Sequence, residues 1–575
     1  MKDLFYILKY IKYYKKDFII AIGLIIFETI FELIIPFLMK DIIDKGIKNS
    51  DMNQIIISGS FIIGCAIISL ITGHFYAKYN ARLVTNFSYH LRQEVFSKIQ
   101  SFSFSNLDHF RTSSLVTRTT NDVMIMQNTL VGGLRPLCRS PLMLFMGIGL
   151  SFVMAPKIAW IFVISVPVLG IILFSIIRYT APKYSVLQEN IDDLNRVVRE
   201  NVTAIRTVKA YVREDYEIEK FNQANEQVMH TTKKTFRIAQ LNTPSFQLVL
   251  YTVTVLILTF GAMLVHNQEL EVGSLSALLS YILQVVNSLM MISNVFLLVN
   301  RSFASAKRLK EVLEEQSDIT SQENAIKEIL AGEIEFKDVS FKYLSGTGEN
   351  VLSHINLHIS SGESIGILGG TGSAKSTLVS LILRLYDVTE GEVLINGINV
   401  NEYDLVSLRD AVSIVLQKNV LFSGTIKENL LWRNKNATDE EINKACEIAC
   451  ADEFIHHLPH GLEYDLGQGG VNVSGGQKQR LCIARALLKK PKVIIFDDST
   501  SACDMETERK ITKAIRNLRD TTNIIIAQRI SSVMEADRII ILDEGKILAI
   551  GTHQELLESN EIYQELYHQQ LGGVL

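Results

Sequence analysis

Residues Gly369-Gly370-Thr371-Gly372-Ser373-Ala374-Lys375-Ser376-Thr377 decide how the C-terminal part of this chain folds. They follow an apolar run, Ser364–Leu368, that reads as a strand, and they open a helical pattern over Thr377–Tyr386. Strand, glycine-rich loop and helix form the context that a phosphate-binding loop needs. Glycines let backbone N–H groups curl around phosphate oxygens, and the helix N-terminus adds a favourable dipole. Lys375 places a cation on β- and γ-phosphates, and Ser376 offers a hydroxyl to Mg2+. Ala374 stands where glycine normally precedes the lysine. Helical dihedrals are expected there, and in them alanine is harmless; a positive φ would cost energy.

Downstream, Val493-Ile494-Ile495-Phe496-Asp497 reads as a buried strand ending in a carboxylate that can hold Mg2+ through water. Loop and strand together predict a P-loop nucleotide-binding domain. The residues around them narrow the reading. Val473-Ser474-Gly475-Gly476-Gln477, followed by Lys478-Gln479-Arg480, resembles the signature sequence of ATP-binding-cassette (ABC) proteins. Gln417 matches the Q-loop glutamine of that family, with Leu421–Ile426 and Asn429 after it. Tyr343 matches the aromatic that stacks on adenine, and Ser501-Ala502-Cys503-Asp504 looks like the D-loop.

This resemblance implies ATP and Mg2+ as cofactors. ATP would lie on Tyr343, on Gly369, Gly370, Thr371, Gly372, Ser373, Ala374, Lys375, Ser376 and Thr377, and on Gln417. Mg2+ would take Ser376, Gln417 and Asp497. Ser474, Gly475, Gly476 and Gln477 would cap ATP held by a second chain, so that two nucleotides are sandwiched in a head-to-tail dimer.

The first ~310 residues obey different physics. A bilayer core needs ~20 apolar residues per helix. Runs of that kind occur near Phe18–Met39, Ile55–Tyr76, Leu130–Val153, Ile158–Ile177, Phe246–Val265 and Leu275–Val299. Lysine and arginine crowd the N-terminal segment and residues 78–118, 178–237 and 301–310, whereas the loops 155–157 and 266–274 hold one lysine and none. Loop 40–54, with three lysines, fits less well. The bias predicts both termini in the cytoplasm of a multi-pass protein of the cytoplasmic membrane. The cytoplasmic loops read as long helices that turn around near Ser105–Phe110 and Arg206–Val212. The fold expected is a six-helix transmembrane domain (1–310), a charged linker (311–331) and an α/β, RecA-like ABC nucleotide-binding domain with a helical subdomain (332–575). A chain so built resembles a bacterial ABC exporter half-transporter, in which the turn-arounds are coupling helices and the second docks on the partner's nucleotide-binding domain.

The net charge of −4 gives no argument for nucleic acid, and the six cysteines lack the spacing of a metal site. Inside the spans, Glu28 and Glu32 share a face of the first helix, as Arg135 and Arg139 do on the third. Charges there are costly and mark a cavity or a partner. They are candidates for a substrate cavity suited to amphipathic cations, with a Glu–Arg ion pair as the rival.

Two positions depart from the family pattern. Asp498 stands where the water-polarising glutamate is usual, and Gln528 where the switch histidine is usual. Aspartate falls roughly 1–1.5 Å short, and misplacement on this scale costs ~100-fold in rate. Glutamine cannot carry a proton at neutral pH. The pattern resembles the degenerate subunit of heterodimeric multidrug exporters, with an intact signature donated to the partner. A homodimeric lipid or peptide exporter, or an ATP-gated or sensory subunit, stands as the alternative.

Overall fold

The computed structural model describes residues 2–343, 348–499, 503–518 and 520–571. It divides into two compact units, residues 1–100 with 113–314 and residues 101–112 with 315–575.

The first unit is helical. Among the described residues, six helical spans are long and apolar enough to cross a membrane: Lys2–Ile47, Met52–Gln100, Thr112–Met154, Pro156–Thr203, Glu214–His266 and Val272–Glu314. Each has 43 to 53 residues. At 1.5 Å per residue that is roughly 65–80 Å, far beyond the ~30 Å of a hydrocarbon core. The spans therefore extend as stalks. Leu70, Phe145, Trp160 and Leu248 point outward, which suits a lipid-facing surface. A core of Leu33, Met143, Phe162, Ile257, Tyr281 and Val285 holds the helices together. A six-residue helix, Ile205–Ala210, turns the chain where the second turn-around was expected.

In the second unit, strands β1 (Ile334–Phe341), β2 (Leu352–Ile359), β4 (Glu390–Ile395) and β5 (Ile398–Asn399) form an antiparallel sheet ordered β2-β1-β4-β5. The main sheet is ordered β10-β9-β3-β8-β7-β6. Its members are β3 (Ser364–Leu368), β6 (Val412–Val415), β7 (Val493–Asp497), β8 (Thr522–Ile526), β9 (Arg538–Asp543) and β10 (Lys546–Gly551). All neighbours pair in parallel except β10 on β9. Every residue of β3, β7 and β8 is buried, which is why these strands read as unbroken apolar runs. Val493 and Ile495 enter one core, Ile494 and Phe496 the other, so layers cover both faces of β7. Because β8 lies between β3 and β7, the loops after all three strands emerge side by side at their C-terminal ends. In open α/β sheets that edge is where ligands bind.

Residues 101–112 pack within this second unit. The helix Phe104–His109 starts at Ser103 with a capping box closed by Asn106. Asn106 Nδ2 also donates to Glu315 Oε1 at 2.7 Å and to the Gln316 carbonyl at 3.0 Å. Ser105 Oγ donates to Asp318 Oδ2 at 2.5 Å, and Tyr386 Oη to Asp108 Oδ2 at 2.7 Å. This is the first turn-around expected from sequence.

Candidate functional site

The loop after β3 is held by its own oxygens. Lys375 Nζ donates to the carbonyls of Gly369 (2.8 Å) and Gly370 (2.6 Å) and to Ser373 Oγ (3.0 Å). Burial pulls the Lys375 ammonium below its ordinary pKa, while the nearby Asp497 and Asp498 carboxylates oppose the shift. Gly372 takes φ +87°, and a Cβ on it or on Gly370 would meet no atom within 4 Å, so that side of the loop is open. Ala374 corrects an expectation. It is not helical but left-handed, at φ 71° and ψ 20°, directly before the helix Lys375–Ile382. The loop reverses at this residue to bring Lys375 back over Gly369 and Gly370. Alanine pays about 1–2 kcal/mol for that conformation and glycine does not.

Across the sheet edge, Ser376 Oγ donates to Asp497 Oδ1 at 2.9 Å. Burial raises the Asp497 pKa, Asp498 adds to the rise and the Ser376 hydrogen bond works against it. Hydroxyl and carboxylate side by side are the hard oxygen donors that Mg2+ prefers, so these residues fit the metal. Asp498 has φ 48°. Its Oδ2 accepts from Gln528 Nε2 at 3.0 Å and from Gln417 Nε2 at 3.3 Å. A cavity of about 280 Å3 is bounded by residues 371–377, Gln417, Asp497, Asp498 and Gln528.

Ser474, Gly475, Gly476 and Gln477 are absent from that boundary. They begin the helix Gly475–Leu487, where Ser474 and Gln477 close a capping box. Tyr343 lies beside the phosphate loop rather than in its cavity. Its hydroxyl is 2.9 Å from Thr377 Oγ1, and its ring meets Phe341 and Tyr386 edge-on. Burial and Asp108 raise the Tyr386 phenol above its ordinary pKa. Of the expected D-loop, Ser501 and Ala502 lie outside the described residues; Cys503 Sγ reaches Gln479 Oε1 at 3.5 Å, and Asp504 caps the helix Met505–Arg516.

Known proteins match both units. The ABC transporter transmembrane region matches residues 18–289, and the ABC transporter family matches residues 352–501. The uncharacterized ABC transporter ATP-binding protein YfiB of Bacillus subtilis is 38% identical over 553 residues, 96% of each chain. This chain belongs to the ABC transporter family. The putative multidrug export ATP-binding/permease protein YgaD of B. subtilis is 32% identical, over 97% of this chain and 98% of its own length. The ATP-dependent lipid A-core flippase of Desulfotalea psychrophila is 32% identical over 93% of each chain. A solved structure of a bacterial Atm1-family ABC exporter with ATP bound shares the fold, with a TM-score of 0.82 at 22% identity, over 97% of this chain and 98% of that one. The protein is thus an ABC transporter chain, a membrane-spanning unit fused to an ATP-hydrolysing domain.

In the membrane unit of this ABC transporter, the four charged candidates come together as two ion pairs, Glu28 with Arg135 and Glu32 with Arg139. Two residues escaped the sequence reading. Gln570, near the C-terminus, accepts from the Ile530 amide at 2.8 Å and donates to the Gln528 carbonyl at 3.0 Å, so it grips the loop that carries Gln528. Asn106 joins the first turn-around to residues 315 and 316. Neither carries a motif; only long-range contacts reveal them.

Proposed function

We propose that this chain exports hydrophobic or amphipathic compounds across the cytoplasmic membrane as one half of a heterodimer, with both termini in the cytoplasm. Its own ATP site is degenerate, and its signature completes the partner's site. The observation that carries this reading is the Asp498–Gln528 pair, which puts a short carboxylate and a proton-inert amide where family members have glutamate and histidine.

The phosphate loop binds the triphosphate with its backbone amides and Lys375, and Ser376, Gln417 and Asp497 hold Mg2+. When bound, Mg2+ neutralises charge on the β- and γ-phosphates. Asp498 orients water only weakly, because its reach is short and its Oδ2 is already taken by two amides. Ser474 and the amides of Gly475 and Gly476 sit at a helix start, ready to cap a γ-phosphate on the partner. Closure of the two nucleotide-binding domains drives a rigid-body change that the stalks transmit. In this reading the second turn-around of the partner chain docks in the groove of about 460 Å3 whose walls include Leu405, Val406, Val420 and Trp432.

The test is ATP turnover by the purified chain alone and with its partner. Fast turnover by the chain alone, abolished by Asp498→Asn, would sink the degenerate-site reading.

A further inference from the structure

The charged residues inside the membrane unit form a two-rung ladder. Glu28 and Glu32 are one turn apart on the first span, Arg135 and Arg139 one turn apart on the third, and each acid meets the arginine 107 residues later. Rungs that only stapled two helices would bury both partners. The first rung does not. The Glu28 side chain keeps 5% of its accessible surface and that of Arg135 keeps 38%, so the acid lies behind and the guanidinium in front. On the second rung the two are equally accessible, at 23% for Arg139 and 25% for Glu32.

A guanidinium inside a span is costly against lipid. This face therefore turns toward water or protein. The first arginine is also held in a fixed pose. Glu28 grips it from behind, the Tyr76 ring lies 5.6 Å from its centre, and Gly73 leaves room for the carboxylate, since a Cβ there would come within 3.2 Å of Glu28 Oε1. Glu28 Oε2, Arg135 Nε and Tyr76 Oη are buried without a hydrogen-bond partner among the described residues. Each guanidinium offers five N–H donors and spends only part of them on its glutamate. Planar donors with spare N–H groups suit the two-point acceptors, carboxylate and phosphate.

We propose that Arg135 and Arg139 form a subsite for the anionic headgroup, phosphate or carboxylate, of an amphipathic cargo, with Glu28 and Glu32 as counter-charges that hold the guanidiniums in place. This rests on the exporter reading and narrows its cargo from amphiphiles in general, and from the cations expected from sequence, to acidic ones. The counter-charges also weaken the hold on the anion, as release requires.

The test uses the full chain in zwitterionic phosphatidylcholine nanodiscs and equilibrium binding of 32P-labelled dodecyl phosphate, with ATP binding measured on the same discs. Saturable binding is expected, uncontested by dodecyltrimethylammonium or by inorganic phosphate. Arg135→Gln and Arg139→Gln should each weaken it about tenfold, the loss of a charge-assisted hydrogen bond. Glu28→Gln, which keeps the side-chain shape, should strengthen it several-fold. The opposite signs separate a headgroup site from a staple, which either change would simply weaken. Unchanged binding in the arginine variants, or binding lost equally in the glutamate variant, overturns the proposal. Equal competition by inorganic phosphate also overturns it, because the site would then take free anion rather than an amphiphile. Intact ATP binding without dodecyl phosphate binding defeats this proposal alone; loss of both defeats the exporter reading beneath it.

Discussion

Gln528 donates its side-chain amide to Asp498 Oδ2 across 3.0 Å, and Gln417 donates to the same oxygen at 3.3 Å. The carboxylate that orients water in the proposed reading is held by two amides from two different loops. Its backbone is also in the left-handed region, at φ 48°, a conformation that aspartate tolerates better than most residues.

Restoring reach and proton chemistry together should restore turnover. Asp498→Glu with Gln528→His is expected to raise ATP hydrolysis at this site by roughly 100-fold, the scale of a 1 Å error in placing a catalytic group. Asp498→Glu alone should gain less, because Gln528 would still tie up the carboxylate. Single-turnover hydrolysis measures both variants, and no gain in the double variant would show that Asp498 and Gln528 are not what limits the site.

The phosphate loop carries strain at Ala374. Ala374→Gly removes a Cβ from a residue at φ 71° and should stabilise the folded domain by about 0.5–1 kcal/mol, the left-handed penalty of about 1–2 kcal/mol less the roughly 0.4–1 kcal/mol that glycine adds to the entropy of the unfolded chain. Urea unfolding read on the nucleotide-binding domain checks the sign. A loss of stability would mean that the alanine methyl makes a packing contribution larger than its backbone strain.

These two sites mark how much was legible in advance. The loop 369–377 and the strand ending at Asp497 were readable because local sequence determines them: glycines and a lysine at fixed spacing, then an apolar run closed by a carboxylate. Six spans were readable because lipid demands long apolar helices. The dihedrals of Ala374 were not, since a single residue's φ answers to where the loop must return. Nor was the pairing of Glu28 with Arg135: helix periodicity put each pair on one face, but only the packing of the first span on the third decides which faces meet. Gln570 and Asn106 act through contacts 40 and 209 residues away, for which no local pattern exists.

The first turn-around should loosen when Asn106 is cut back. Asn106 is buried, completes the capping box with Ser103 and reaches both Glu315 and the Gln316 carbonyl. Asn106→Ala leaves those groups unpaired and is expected to cost about 1–3 kcal/mol. Hydrogen exchange across residues 101–112 should quicken accordingly, with exchange in β3 and β7 unchanged. Unaltered protection of 101–112 would mean that other contacts hold the segment.

Lys489 makes stability depend on alkaline pH. Burial pushes its amine down to about 8, against an ordinary value of 10.5, with Asp410 opposing and Arg433 reinforcing the shift. Its Nζ donates to the Val412 carbonyl at 3.0 Å and to that of Arg409. Between pH 8 and 10.5 the unfolded chain binds a proton that the folded one does not, so stability rises with pH across that window. Below pH 8 both states are protonated, and the penalty for the buried charge is fully present. Lys489→Met should remove this pH dependence and raise stability at pH 7. Urea titrations at pH 7 and 9.5, followed through Trp432 in the same groove, measure it; a wild-type slope that persists in the variant assigns the effect elsewhere.

The C-terminal helix Glu561–Leu571 should tune how firmly the site holds nucleotide. Tyr563 anchors it, fully buried and with its hydroxyl 2.6 Å from His553 Nδ1. From that anchor Gln570 bonds the backbone on both sides of Arg529 and so fixes the segment that carries the Gln528 amide. Gln570 itself is exposed, so Gln570→Ala should leave global stability nearly unchanged, within about 0.5 kcal/mol. ATP affinity should nevertheless fall several-fold, because the Gln528 side chain is no longer held toward the γ-phosphate end. Gln570→Glu keeps the acceptor for the Ile530 amide but sets a carboxylate against the Gln528 carbonyl, so only part of the clamp survives and the loss should be intermediate. Equal ATP affinity in all three proteins would show that the switch loop holds its shape without the C-terminal helix.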